Sequence, residues 1–264
     1  MLNLQFDSLQ VKVYLPNDFL PEWQEIVYPV RHVIYILEPD EMTDELDLTP
    51  TYLRDAAIVE INHMNWADDL SPWPAPYVFK SEGDFTGGAN LFLVRLLKEV
   101  IPCVEGKIHK EYQIDYDPDQ ADRALLGISL AGLFSVYAVY KTDAFRYGGS
   151  ISGSLWFDKF IDFMKENEPV HKEVAAVTAN ADDRGISPGA ARAWEKFYFS
   201  LGDREKFTKN PRMKTVEDCT KEAAEILQAH GIRTTFELNP GNHFVDGALR
   251  TERAIQWLLN NRVY

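Results

Sequence analysis

The sequence predicts an α/β protein with a mostly parallel central sheet and helices on both faces. Three observations carry this. Apolar runs of strand character alternate along the chain with runs whose apolar residues recur every three to four positions. Several strand-like runs are apolar almost without interruption, as strands covered on both faces are. The 264 residues, 45% hydrophobic and 26% charged, are also enough to bury a large core without disulfides or metals. No repeat, low-complexity tract or long linker divides the chain, so residues 1–264 read as one domain.

The elements follow in order. Residues 9–15 alternate with period two and close at Pro16-Asn17-Asp18, which describes a half-buried strand. Residues 29–37 are richer in β-branched side chains and end at Glu38-Pro39-Asp40; residues 56–62 form a third run. The loop 65–76 holds three prolines and two tryptophans, a composition that excludes helix and suits a binding surface. Residues 90–101 are patterned as a helix that stops at Pro102. A buried strand at 123–128 leads into a helical run at 130–140, and 148–153 and 196–201 are further strands. The end of the chain reads as helix 216–230 with Gly231 as its stop, strand 234–238 and helix 251–259.

Composition removes several function classes. Against 27 Lys and Arg stand 41 Asp and Glu, a formal charge of −14 and a pI near 4.9. Without a basic cluster this is a poor footprint for nucleic acid or anionic lipid, so neither is an expected partner. The two cysteines, Cys103 and Cys219, lie far apart in no CxxC pattern, which excludes a disulfide framework and a zinc ribbon. No apolar run approaches the ~20 residues of a membrane span. The opening residues Met1 to Asp7 have neither a basic region nor an apolar signal core, so the expected location is the cytoplasm.

The strongest chemical signal is Gly127-Ile128-Ser129-Leu130-Ala131-Gly132, between a buried strand and a helix. A serine on so tight a turn needs small neighbours two positions to either side, and here they are Gly127 and Ala131. The turn lifts the hydroxyl above the strand ends, and the Leu130 amide at the start of the helix is an oxyanion donor. A serine needs a base. Of the six histidines, His32 falls in a strand, His109 and His171 among charges, and His230 at a helix end where it could cap the last carbonyls. His63 follows the third strand. His243, in Pro240-Gly241-Asn242-His243-Phe244 between the last strand and the last helix, occupies the place of a catalytic histidine. The acid then belongs on the loop after strand 196–201, where Asp203 and Glu205 both stand; Asp182 and Asp183 precede that strand and read as solvated. Ser129–Glu205–His243 is the simplest triad, with Asp203 as the alternative acid.

Further segments add to these. Val33-Ile34-Tyr35-Ile36-Leu37-Glu38, Asp69-Leu70-Ser71-Pro72-Trp73, the turn 127–132, Ser152-Gly153-Ser154-Leu155-Trp156, Ser200-Leu201-Gly202-Asp203-Arg204-Glu205 and Asn239-Pro240-Gly241-Asn242-His243-Phe244 occur in this order. Together they resemble, over most of the chain, the esterase family of α/β-hydrolases. That family includes siderophore esterases of the ferric-enterobactin type, S-formylglutathione hydrolases and mycolyltransferases. Ser154-Leu155-Trp156 is similar to the siderophore-esterase branch. The resemblance implies an α/β-hydrolase fold, with the nucleophile at Ser129, the histidine at His243 and the acid at Glu205. It also implies a second oxyanion amide after the second apolar strand. Pro39 has no N–H, so that amide falls to Asp40.

The leading expectation is a serine carboxylesterase acting on a small or medium ester through an acyl-enzyme, without metal or organic cofactor. Trp66, Trp73, Trp156 and Phe244 are candidates for the pocket wall, or for ordinary packing. A siderophore trilactone esterase is the alternative. Its anionic substrate would call for local basic residues such as Lys80, Arg146 or Lys209. A catalytically idle binding protein on a hydrolase scaffold is the reading from another class.

Overall fold

A computed structural model describes residues 1–19, 29–39, 46–76, 78, 83–111, 121–170 and 194–260. Its centre is an eight-stranded sheet. The strands in chain order are β1 (Leu2–Phe6), β2 (Leu9–Tyr14), β3 (His32–Leu37) and β4 (Ala56–Asn62). A small ribbon of β5 (Pro74–Ala75) and β6 (Phe85–Thr86) follows, and then β7 (Asp122–Ile128), β8 (Tyr147–Ile151), β9 (Lys196–Gly202) and β10 (Arg233–Asn239). Across the sheet the order is β1-β2-β4-β3-β7-β8-β9-β10. The pairs β1–β2 and β2–β4 are antiparallel; from β4 to β10 every pair is parallel.

Alternation of side chains along each strand sorts the apolar residues onto two faces. On one face Val33, Tyr35, Leu37, Val59, Leu125, Phe197 and Phe199 meet the helices α2 (Ala89–Arg95), α3 (Ile101–Glu111), α4 (Leu130–Val139), α5 (Phe160–Glu166) and α6 (Val216–Ala229). On the other, Ile34, Ile36, Ile58, Ala124, Leu126 and Tyr198 meet Ala254, Ile255 and Leu258 of α7 (Gly247–Leu259). α4 is buried at every position, which explains why its sequence is apolar all round and lacks a polar stripe.

The main departures from the predicted elements are four. β1 has no counterpart among the predicted elements; it pairs Leu2 to Phe6 with β2 at the sheet edge. The loop 65–76 opens with a helical turn, α1 (Trp66–Asp69), because its prolines begin only at Pro72. The helix starting at Ala89 does not stop at Pro102. It passes through a π-helical turn, Leu96–Val100, and continues as α3 to Glu111. A wider turn just before a proline relieves the clash of its ring with the preceding turn's carbonyl, and Pro102 has no N–H to lose. The last helix begins at Gly247, four residues before the expected start, after Asp246 in a left-handed conformation. Gly231, by contrast, ends α6 as expected, with φ +82°.

This topology positions the site. From β3 the chain turns to β4 on one side, and from β7 to β8 on the other, so β3 and β7 flank the point where strand order reverses. In open α/β sheets the crevice at the carboxyl ends of such strands is the binding place. Ser129 leaves β7 there, beside Glu38 and Pro39, which leave β3.

Candidate active site

Ser129 sits between β7 and α4 at φ 59°, ψ −120°. A non-glycine residue held there stores on the order of 1–3 kcal/mol, which the surrounding contacts must offset. Four hydrogen bonds do so. The Ser129 N–H donates to the Ile151 carbonyl at 2.9 Å, and its carbonyl accepts from the amides of Gly132 (3.0 Å), Leu133 (3.3 Å) and Ser154 (3.0 Å). Gly127 is required by space. A Cβ there would lie 2.1 Å from the Ala131 carbonyl oxygen and 2.2 Å from its carbon. Leu130 is the first residue of α4, so its amide has no acceptor within the helix and points out of the helix N-terminus.

Glu205 and His243 come from the loops after β9 and β10. Glu205 Oε2 lies 2.8 Å from His243 Nδ1. Its Oε1 accepts from the Ser152 hydroxyl at 2.6 Å and the Gly202 amide at 2.7 Å, with Arg250 Nη1 at 3.4 Å. The carboxylate is 5% exposed. Burial pushes its pKa up, but the bond and charge of His243 and the donors Ser152 and Gly202 outweigh that and hold it below the usual carboxylate range. The group is therefore an anion at neutral pH, aimed at one ring nitrogen.

Asp203 does a different job. Its Oδ1 accepts from the Gly241 amide at 2.9 Å and its own N–H donates to the Asn239 carbonyl at 2.7 Å. It joins the loop after β9 to the loop that carries His243, and its carboxylate is turned to the backbone of that loop. Gly241, at φ +117°, fits this turn as a side chain would not: a Cβ would meet Val245 at 2.7 Å.

The remaining candidates are spread out. Trp73 stacks within an aromatic cluster, 5.8 Å from Phe157, 6.1 Å from Phe160 and 5.4 Å from Phe163, and its Nε1 donates to the Asp158 carbonyl. Trp66 is part-buried against the core. Trp156 lies under the Arg212 guanidinium, 5.6 Å away. Phe244 is 89% exposed, its ring T-shaped to that of His243 with the centroids 5.1 Å apart. His63 is exposed at φ 58°. His230 Nδ1 pairs with Glu168 at 2.9 Å and leaves the helix end to be capped by backbone amides. Arg146 lies at the amino end of β8, held by Asp122 and Glu195, at the opposite edge of the sheet from Ser129. Lys209 is exposed in the loop after β9. Asp40, Lys80, His171, Asp182 and Asp183 lie outside the described residues. Among the described residues, no three His, Cys, Asp or Glu side chains gather into a metal-binding group. None of the described helices is long and apolar enough to cross a membrane.

Two residues at this site had no role in the sequence reading. Ser152 follows β8, and Arg250 is on the inner face of α7, 2% exposed, with Nη1 2.8 Å from Ser152 Oγ and Nη2 3.3 Å from the His243 carbonyl. A signal for Arg250 did exist: it stands four residues before Ala254 and eight before Leu258, an arginine on an apolar stripe.

Residues 7–243 match the family described as "Putative esterase", a span that covers most of the chain and ends at the histidine. The chain belongs to that esterase family. Its sheet and helices are those of the α/β-hydrolase fold, shared with a siderophore hydrolase, EstA, from Aspergillus nidulans. That likeness has a TM-score of 0.67 at 18% identity and covers 97% of this chain and 91% of the other. An IroE-like serine hydrolase from Shewanella oneidensis aligns with a TM-score of 0.66 at 18% identity, covering 97% of this chain and 78% of that one. An uncharacterized protein, YbbA, from Bacillus subtilis is 27% identical over 180 residues, 68% of this chain and 61% of that protein. The match thus spans under two thirds of that relative's length.

Proposed function

We propose that this protein is a serine carboxylic-ester hydrolase that works through an acyl-enzyme. The observation that carries the reading is the Glu205–His243 pair at 2.8 Å, on loops at the same carboxyl end of the sheet from which Ser129 leaves β7 on a strained strand-to-helix turn. In this reading His243 takes the proton of the Ser129 hydroxyl as its oxygen attacks the ester carbonyl. The Leu130 amide and a second amide after β3, assigned to Asp40 from the sequence, hold the oxyanion. His243 then gives its proton to the departing alcohol. Water repeats the sequence on the acyl-enzyme and restores Ser129. Glu205 keeps the imidazole in the tautomer with its lone pair at Nε2 and stabilises the imidazolium that forms.

A fluorophosphonate probe tests the reading directly. It should label the wild-type chain at Ser129 and leave Ser129→Ala unlabelled, and that variant should fold normally while ester turnover falls by several orders of magnitude. An unlabelled wild-type chain would instead support an idle scaffold. Short-chain aryl, feruloyl, thioester and siderophore-lactone esters make up the substrate panel. Siderophore esters belong in it because Ser154-Leu155-Trp156 is similar to that branch and because the fold is shared with a siderophore hydrolase.

A further inference from the structure

We infer that Arg250 and Ser152 form a positioning pair that ties the Glu205 carboxylate and the His243 loop to the end of β8, and so fixes the aim of the carboxylate–imidazole couple on Ser129. The inference rests on the esterase reading above. Its basis is a closed set of contacts. Ser152 donates its one hydroxyl hydrogen to Glu205 Oε1 at 2.6 Å, which leaves the lone pairs to accept from Arg250 Nη1 at 2.8 Å. The guanidinium therefore sets the direction of the hydroxyl. The same Nη1 lies 3.4 Å from Glu205 Oε1, and Nη2 donates to the His243 carbonyl at 3.3 Å. The segment that carries Ser152 also holds the nucleophile: Ile151 accepts the Ser129 amide, and the Ser154 amide donates to the Ser129 carbonyl. Residues 151–154, at the end of β8 and just beyond it, thus bond Ser129 and Glu205 directly and reach the His243 backbone through Arg250.

Burial and charge give the pair its physical sense. Arg250 and Glu205 are 2% and 5% exposed. A carboxylate so buried is a charge in a medium of low dielectric and needs a partner, and the Arg250 guanidinium stands beside it. The groups facing Glu205 are His243 from the loop after β10, Arg250 from α7, the Gly202 amide from β9 and Ser152 from the end of β8. Asp203 beside it is turned away to the Gly241 amide. For mere packing, an apolar residue on the α7 stripe would do as well. The guanidinium instead reaches acceptors on three separate chain segments.

The test uses the full chain with Ser152→Ala, Arg250→Met and Arg250→Lys, an aryl ester as substrate, and fluorophosphonate titration to count competent sites. Turnover per labelled site should fall about tenfold or more in Ser152→Ala and Arg250→Met, as for misplaced catalytic groups, with KM little changed. Arg250→Lys should recover part of it. In Ser152→Ala, which changes no charge, the midpoint of the rising limb of kcat/KM against pH should move to lower pH, because an imidazolium facing a misplaced carboxylate is less stable. In proton NMR the low-field resonance of the His243–Glu205 bond should broaden or vanish. Variants that fold and keep wild-type turnover per site, an unmoved midpoint and the resonance would overturn the inference, leaving Arg250 a structural residue. Should Arg250→Met not fold, Ser152→Ala and Arg250→Lys decide. Should the wild-type chain take no label at Ser129, the esterase reading fails on its own account. The resonance in Ser152→Ala then still decides the positioning: its survival overturns it.

Discussion

Glu205→Gln should inactivate the protein more thoroughly than the loss of one charge would suggest, and the hydrogen bonds say why. Oε1 faces three donors, Ser152 Oγ at 2.6 Å, the Gly202 amide at 2.7 Å and Arg250 Nη1 at 3.4 Å, while Oε2 faces His243 Nδ1 alone. A glutamine has one oxygen and one NH2 to distribute between these two places. Its NH2 at the first would confront three donors, so the oxygen goes there and the NH2 turns to His243. That ring must then accept at Nδ1 and carry its proton on Nε2, the nitrogen that in the proposed mechanism takes the proton of Ser129. The substitution thus inverts the tautomer. A base locked in the wrong tautomer lowers kcat on the order of a thousandfold to ten-thousandfold, about 4–5.5 kcal/mol of transition-state stabilisation, with KM little affected. Glu205→Ala, which leaves the ring free to choose, should be no worse and is expected to be the more active of the two. Steady-state kinetics on an aryl ester, normalised to fluorophosphonate-titrated sites, measures both. The ring nitrogen shifts of His243 report the tautomer. Turnover of Glu205→Gln within about tenfold of wild type would refute this account of how the couple works.

Three further outcomes follow from the same geometry. Gly127→Ala puts its Cβ 2.1 Å from a backbone oxygen that cannot move without deforming the Ser129 turn; a loss of about 3 kcal/mol or more in denaturant unfolding is expected, together with loss of labelling. Asp203→Asn weakens the bond to the Gly241 amide and should cost roughly 0.5–2 kcal/mol of stability while leaving kcat largely intact. A large fall in kcat at unchanged stability would make Asp203 the acid. The third outcome concerns pH. The folded pKa of Glu205 is depressed, so its contribution to stability is fully present above the unfolded value of about 4.3 and is lost as pH falls through the folded one. The stability gap between wild type and Glu205→Gln, read by urea unfolding, should therefore be constant at higher pH and narrow below about pH 4.3.

Much of the fold was legible because its rules are local. β4 coincides with the run 56–62, and β7, α4 and β9 agree with their sequence patterns to within a residue. Continuous apolar runs, period and turn chemistry specify such elements before any long-range contact exists. The departures are also instructive. Pro102 reads as a stop because a proline breaks a regular α-helix, but a π turn widens the backbone just ahead of it, and no local signal announces that turn. β1 does carry a local signal, the period-two alternation of Leu2-Asn3-Leu4-Gln5-Phe6, and its pairing with β2 makes it the edge of the sheet.

The sequence by itself determined the class of the fold, the serine on its glycine-flanked turn, the histidine in the last loop and the pair of carboxylates from which the acid would come. Each depends on a pattern within a few residues, where sterics leave little choice: Gly127 is small because its Cβ would fall on the Ala131 carbonyl, whatever the rest of the chain does. Only the tertiary structure decided which carboxylate faces the imidazole, that Asp203 is engaged by the Gly241 amide, that Arg146 lies at the far edge of the sheet, and that Arg250 reaches the site at all. Those facts depend on bringing residues 98 and 45 positions apart, such as Ser152 and Arg250 or Glu205 and Arg250, to within hydrogen-bonding distance or near it. The parallel crossovers set that approach: they place the carboxyl ends of β8, β9 and β10 side by side, at a spacing that no local pattern in the chain encodes.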